Sequence, residues 1–215
     1  MAAITDYNSL QTSVTQYLVN SDEAGMFDTF LKLAENRFNR ELRIREMVPS
    51  SPKTYTGSWK DFELGSDFIE AIAVYTSDNA LSYMPPQKFF NLKAAHGSPS
   101  GTPEYYTIVG SEMHLAPYGT SATTTVIRYA ELTPLSSSNT TNELMPKAAD
   151  LYLYGVLLEA QPFLNEQARI EEFVAFYDRA KESLLAADAR ARMRPGAGQR
   201  MRANGVSADG AFRIP

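Results

Sequence analysis

Twice along this chain the spacing of apolar residues changes period, from about 3.6 to about 2 near Val48 and back near Leu144. A chain ordered in this way must put helices at both ends and a sheet between them. The opening segment, Asp6 to Val19, places Leu10, Val14, Tyr17 and Leu18 on one helical stripe, with Thr5 or Asp6 available as N-cap. After a break at Asn20, Ser21 and Asp22, Met26 to Leu42 repeats the pattern with Phe27, Phe30, Leu31, Ala34, Phe38 and Leu42. Asp28, Lys32, Glu35, Arg37 and Arg40 are left on its polar side.

From Val48 onward, Pro49, Pro52, Gly57 and Gly65 cut the chain into short pieces, among them Asp61 to Leu64 and the mostly apolar strand Phe68 to Thr76. Pro85 and Pro86 precede Gln87 to Ala95, a short helix with Phe89, Phe90 and Leu92 that is closed by Gly97 and expected to lie across a sheet. Within Tyr105 to Ala116, two apolar-rich runs flank Gly110 and Ser111, a pair suited to a two-residue type II′ hairpin turn. Thr123 to Leu132, β-branched at Thr124, Thr125, Val126 and Ile127, supplies another strand. The middle of the chain therefore reads as antiparallel β.

Beyond Ser136, Ser137 and Ser138 the pattern predicts a helix over Leu144 to Ala160, with Pro146 in its first turn and Thr140 and Glu143 spaced as a capping box. Leu151 to Leu158 is apolar almost all round, so it needs cover on more than one side, from its own fold or from a neighbouring subunit. Leu151, Tyr152, Tyr154 and Leu158 are accordingly candidates for subunit packing. Pro162 is expected to end or kink this helix. A last helix, Glu166 to about Arg192, carries Ile170, Phe173, Val174, Tyr177, Ala180 and Leu184 as its apolar stripe. Pro195 to Pro215 contains four glycines and no usable periodicity, and is expected to stay disordered until something binds it.

The fold class is thus α+β. A helix pair at 1–47 is followed by an antiparallel β section with a short helix at 48–135, a second helix pair at 140–192 and a flexible basic arm at 193–215.

Chemistry is sparse. Without cysteine there is no disulfide, no thiolate metal site and no cysteine nucleophile. His96 and His114 are the two histidines, and neither belongs to a metal-ligand spacing. No nucleophile elbow, phosphate loop or dinucleotide fingerprint occurs, and adjacent carboxylates such as Glu171 and Glu172 point apart on a helix. No catalytic residue, metal or cofactor is expected. The N-terminus has no basic stretch before an apolar core and no run is long enough to span a membrane, so a soluble chain without an export signal is expected.

The formal net charge of −5 conceals a division: residues 1–188 hold 14 Lys/Arg against 24 Asp/Glu, and residues 189–215 hold six Arg against Asp209 alone. Arginines at 190, 192, 194, 200, 202 and 213 suit an acidic protein surface or a phosphate backbone. The segment lacks interleaved aromatics for base stacking. Protein docking, with Phe212 and Ile214 anchoring the end, is preferred to a nucleic-acid-binding module, which remains the alternative.

Three stretches together resemble the head-to-tail adaptor proteins of tailed phages, including the tubular tail proteins under the portal of short-tailed phages. They are Phe30 to Glu46, FLKLAENRFNRELRIRE, with the helix before it; Pro103 to Pro117, PEYYTIVGSEMHLAP; and Thr141 to Phe163, TNELMPKAADLYLYGVLLEAQPF. The resemblance implies a helical bundle with an inserted β domain, assembled in a ring, usually of twelve, around the channel for double-stranded DNA in the virion. It implies a portal protein above, a tail nozzle or tube protein below, and further copies of the chain at each side. Carried onto this sequence, the portal-docking arm comprises Arg190, Arg192, Arg194, Arg200, Arg202, Phe212, Arg213 and Ile214.

Overall fold

The computed structural model describes residues 3–18, 25–57, 61–77, 79–96, 101–117, 122–164 and 170–193. The Asn20–Asp22 break, Gly97, residues 166–169 and the arm from Arg194 lie outside them. The chain is α+β, with helices at both ends and strands between, as the two changes of period require.

Helix α1 spans Tyr7–Tyr17 and is capped by Asp6: its carboxylate accepts from the Ser9 N–H at 2.8 Å, and Ser9 Oγ accepts from the Asp6 N–H at 3.0 Å. The choice between Thr5 and Asp6 falls to the residue whose side chain reaches the third helical N–H. The Ser9 N–H, with the Ser9 hydroxyl donating to the same carboxylate at 2.7 Å, holds the Asp6 carboxyl below its ordinary range. Helix α2, Phe27–Glu41, buries the expected stripe, and buries Glu35 with it.

Among the described residues seven strands follow: β1 Lys53–Gly57, β2 Asp61–Glu63, β3 Phe68–Thr76, β4 Ser82–Tyr83, β5 Tyr105–Val109, β6 Glu112–Ala116 and β7 Ala122–Ala130, with helix α3, Pro86–His96, between β4 and β5. They form two sheets, ordered β1-β7-β3 and β2-β6-β5-β4. The β5–β6 hairpin turns at Gly110, whose φ of 60° is the left-handed value that glycine adopts without strain, and Val109 pairs with Glu112 across it. One pairing departs from the all-antiparallel expectation: β4 runs parallel to β5. Parallel neighbours need a crossover, and α3 supplies it. Val74 and Val126 from the first sheet share a buried cluster with Phe62, Tyr106, Met113 and Leu115 from the second.

Helix α4 spans Ala149–Leu164, and α5 spans Ile170–Arg192. The expected start of α4 at Leu144 is incorrect. Met145 precedes a proline and is disfavoured from helical backbone. Asn142 Oδ1 instead accepts from the N–H groups of Leu144 and Met145, at 3.2 and 3.0 Å, and so closes a turn ahead of the helix. Glu143 is therefore no capping partner of Thr140. Pro162 does not end α4 at Ala160 either; it sits in the last turn, where its missing N–H frees a single carbonyl. Val174, assigned to the stripe of α5, is 38% exposed, while Phe173 and Tyr177 are buried.

The helical core gathers Leu10 and Val14 of α1, Phe30 and Phe38 of α2, Leu151, Tyr152, Val156 and Leu157 of α4, and Tyr177 of α5. Helix α4 thus lies among α1, α2 and α5, and these supply the cover that its nearly uniform apolarity demands. Tyr129, Leu132 and Leu135 carry the same core into the stretch that returns from the sheets.

Gly155 marks the closest approach of α4 to α2: a Cβ there would meet the Phe38 ring at 2.7 Å. Phe38 is held on its other sides by Tyr152, edge-on at 5.1 Å, and by Tyr177, stacked at 6.3 Å. Gly155→Ala is therefore expected to destabilise the protein by about 1–3 kcal/mol through overpacking, despite the helix propensity it gains. The urea midpoint checks this, and a rise would contradict the packing.

Candidate functional site

The last turn of α5 is fastened to the body before the arm departs. Asp188, 8% exposed, accepts from the Arg45 N–H at 3.0 Å, and its other oxygen lies 2.7 Å from Arg192 Nε. The Arg192 guanidinium also donates to Tyr129 Oη and to the Arg43 carbonyl, both at 2.8 Å, and lies 5.8 Å from the centre of the Tyr129 ring. The planar fork of arginine permits this threefold attachment. It joins α5, the turn after α2 and the end of β7, so the point from which the arm leaves is fixed.

A second polar seam fixes the return from the sheets to the bundle. On α2, Glu35 and Asn39 are one turn apart and both point at the returning chain. Asn39 Oδ1 accepts from the Leu132 N–H at 3.0 Å, and Glu35 Oε1 from the Leu135 N–H at 2.9 Å. Asn142 donates to the Thr133 carbonyl at 2.8 Å and to Tyr152 Oη at 2.7 Å, and Tyr152 in turn donates to Glu35 at 3.5 Å. Burial pushes the Glu35 carboxyl up to about 7, against the pull of the Leu135 N–H and the Tyr152 hydroxyl. Burial, with Glu35 beside it, raises Tyr152 as well.

The sequence candidates divide accordingly. Arg192 is bonded into the body as above, and Arg190 donates back to the Ala186 carbonyl at 3.1 Å. Arg194, Arg200, Arg202, Phe212, Arg213 and Ile214 lie outside the described residues. Leu151 and Tyr152 are fully buried in the chain's own core, while Tyr154 is half-buried against Phe176 at 5.1 Å and Leu158 is half-buried beside them. His114 is not a free surface histidine: Nδ1 lies 2.5 Å from Asp61 Oδ1 and the ring meets Phe90 edge-on. Among the described residues no group of three or more His, Asp or Glu is placed to hold a metal, and no helix is long and apolar enough to cross a membrane.

Glu35, Asn39 and Asp188 were missed by the sequence reading, which put Glu35 on the polar side of its helix. Each has a distant backbone N–H as partner, and a backbone group leaves no mark in a sequence.

Helices before and after a β section, with polar seams where the chain enters and leaves it, agree with the fold that the resemblance to phage head-to-tail adaptors implies. A family model described as SU10 adaptor protein matches residues 5–201, and the chain belongs to that family. No curated protein matches it.

Proposed function

We propose that this adaptor works as one subunit of a ring, of about twelve copies by the resemblance described above, that joins the portal to the tail in the virion and surrounds the DNA channel. The match over residues 5–201 carries the reading. The charge division supports it: an acidic body lining a channel keeps DNA from adhering in transit, and a basic arm suits an acidic oligomeric partner. Arg190, Arg194, Arg200, Arg202 and Arg213, with Phe212 and Ile214, form the portal-docking arm, and Arg192 acts as its anchor in the body. Lateral packing falls to Tyr154 and Leu158, whose rims are open, rather than to Leu151 and Tyr152, whose surface is consumed internally. The opposite face of the ring meets a nozzle or tube protein.

Purified portal oligomers mixed with the protein and imaged by negative stain should show an added ring of density at one end. Bare portals, together with duplex-DNA binding that falls steeply with salt, would instead establish the nucleic-acid-binding alternative.

A further inference from the structure

Where the helical body meets the sheets, a groove of about 600 Å³ runs between the Arg45–Met47 turn, the end of β7 and the segment ahead of α4. Four carboxylates line it, Glu46, Asp67, Glu131 and Glu143, against Arg45 and Lys147. Two of the four are already engaged: Glu46 with Lys147 at 2.6 Å and Arg45 at 3.6 Å, and Asp67 with Arg128 at 2.6 Å. Glu131 and Glu143 are exposed and have no ion pair among the described residues; Glu143 accepts only a 3.4 Å bond from Thr133. The groove thus presents two carboxylates without cations.

The end of α5 is bonded to one wall of the groove, where Asp188 accepts from the Arg45 N–H at 3.0 Å. Arg192 is bonded to Tyr129 and to the Arg43 carbonyl, and Ala130 and Arg45, in the groove wall, are one and two residues further along the chain. Met193, 72% exposed, is the last described residue, and residues 194–215 continue from there with arginines at 194, 200, 202 and 213. An extended chain advances roughly 3.3–3.6 Å per residue, so Arg202 has a reach of about 30 Å from Met193.

We infer that residues 194–215 are the occupant of this groove in their own chain, with the arginines of 194–202 paired to Glu131 and Glu143. Single exposed ion pairs are weak. Tethering changes the balance, because an arm rooted beside the groove wall meets the groove at an effective concentration near the millimolar range. The inference goes beyond the portal reading: any outside partner of the arm must compete with this groove for the same arginines.

The absence of cysteine allows a single nitroxide at Ala203→Cys in the full chain. In ¹⁵N-labelled protein carrying that label, the amides of 131–133 and 143 should lose most of their intensity at low salt. The intensity should return in about 0.5 M salt, where the screening length shrinks to a few ångströms. It should also return in E131Q/E143Q and, independently, in R194Q/R200Q/R202Q. Amides elsewhere report whether each variant is folded. Unlabelled-nitroxide ¹⁵N protein mixed with nitroxide-bearing ¹⁴N protein should show no comparable loss. Equal loss in that mixture would assign the groove to the arm of a second copy, and no loss in the self-labelled chain, or loss that survives both variants, would leave the groove without the arm; any of these overturns the inference. No portal is present, so the result is independent of portal docking.

Discussion

Between about pH 5 and pH 8 the protein should lose about 2–3 kcal/mol of stability through Glu35 alone. The carboxyl stands at about 7 in the fold against an ordinary 4.5, and burial is the cause. A carboxyl raised by folding binds its proton more tightly in the native state than in the unfolded chain. Its contribution is therefore complete below about pH 4.5 and disappears as pH rises through about 7. Asp6, Glu41 and Glu46 are shifted the other way, so their effects fall at pH below their ordinary range, outside this window. Glu35→Gln keeps an acceptor for the Leu135 N–H and removes the charge. Its urea midpoint should fall less than that of the parent across the window and exceed it at about pH 8. Parallel pH profiles for the two proteins would show that Glu35 does not titrate as its burial demands.

The seam built on Glu35 also shows where sequence patterns stop being informative. Phe68–Thr76, the Gly110 turn and the stripe of α2 are local: period, β-branching and a glycine at a two-residue turn specify them within a few positions. The same stripe gave no reason to bury Glu35, because its partner, the Leu135 N–H, is 100 residues away. Asn39 and Asp188 likewise take backbone donors 93 and 143 residues away. A faint signal existed, since Glu35 and Asn39 are spaced one turn apart beside Leu31, Ala34 and Phe38 and so border the buried face. The early start assigned to α4 failed for a local reason: Asn142 and Pro146 together favour a turn where helical period alone extends the helix. Its apolar surplus was visible in the sequence, but whether α1, α2 and α5 or a neighbour would cover it depended on tertiary geometry.

Two truncations should separate the arm's binding role from its structural root. Ending the chain after Met193 removes residues 194–215 and leaves Asp188, Arg192, Tyr129 and the Arg43 carbonyl joined, so the urea midpoint should hardly move. Ending it after Ala189 also removes Arg192. The Asp188 carboxylate then keeps the Arg45 N–H, and a further loss of about 1–2 kcal/mol is expected, modest because the Arg192 side chain is 43% exposed and its ion pair partly screened. On portal oligomers, in contrast, both truncated chains should fail equally, with decoration in negative stain falling to background beside the intact protein. A difference in stability with a shared loss of binding assigns docking to the arm beyond Met193 and anchoring to Arg192. Full decoration by the chain ending at Met193 would move the portal contact onto the folded body, and the acidic faces of that body would then have to meet a basic portal surface.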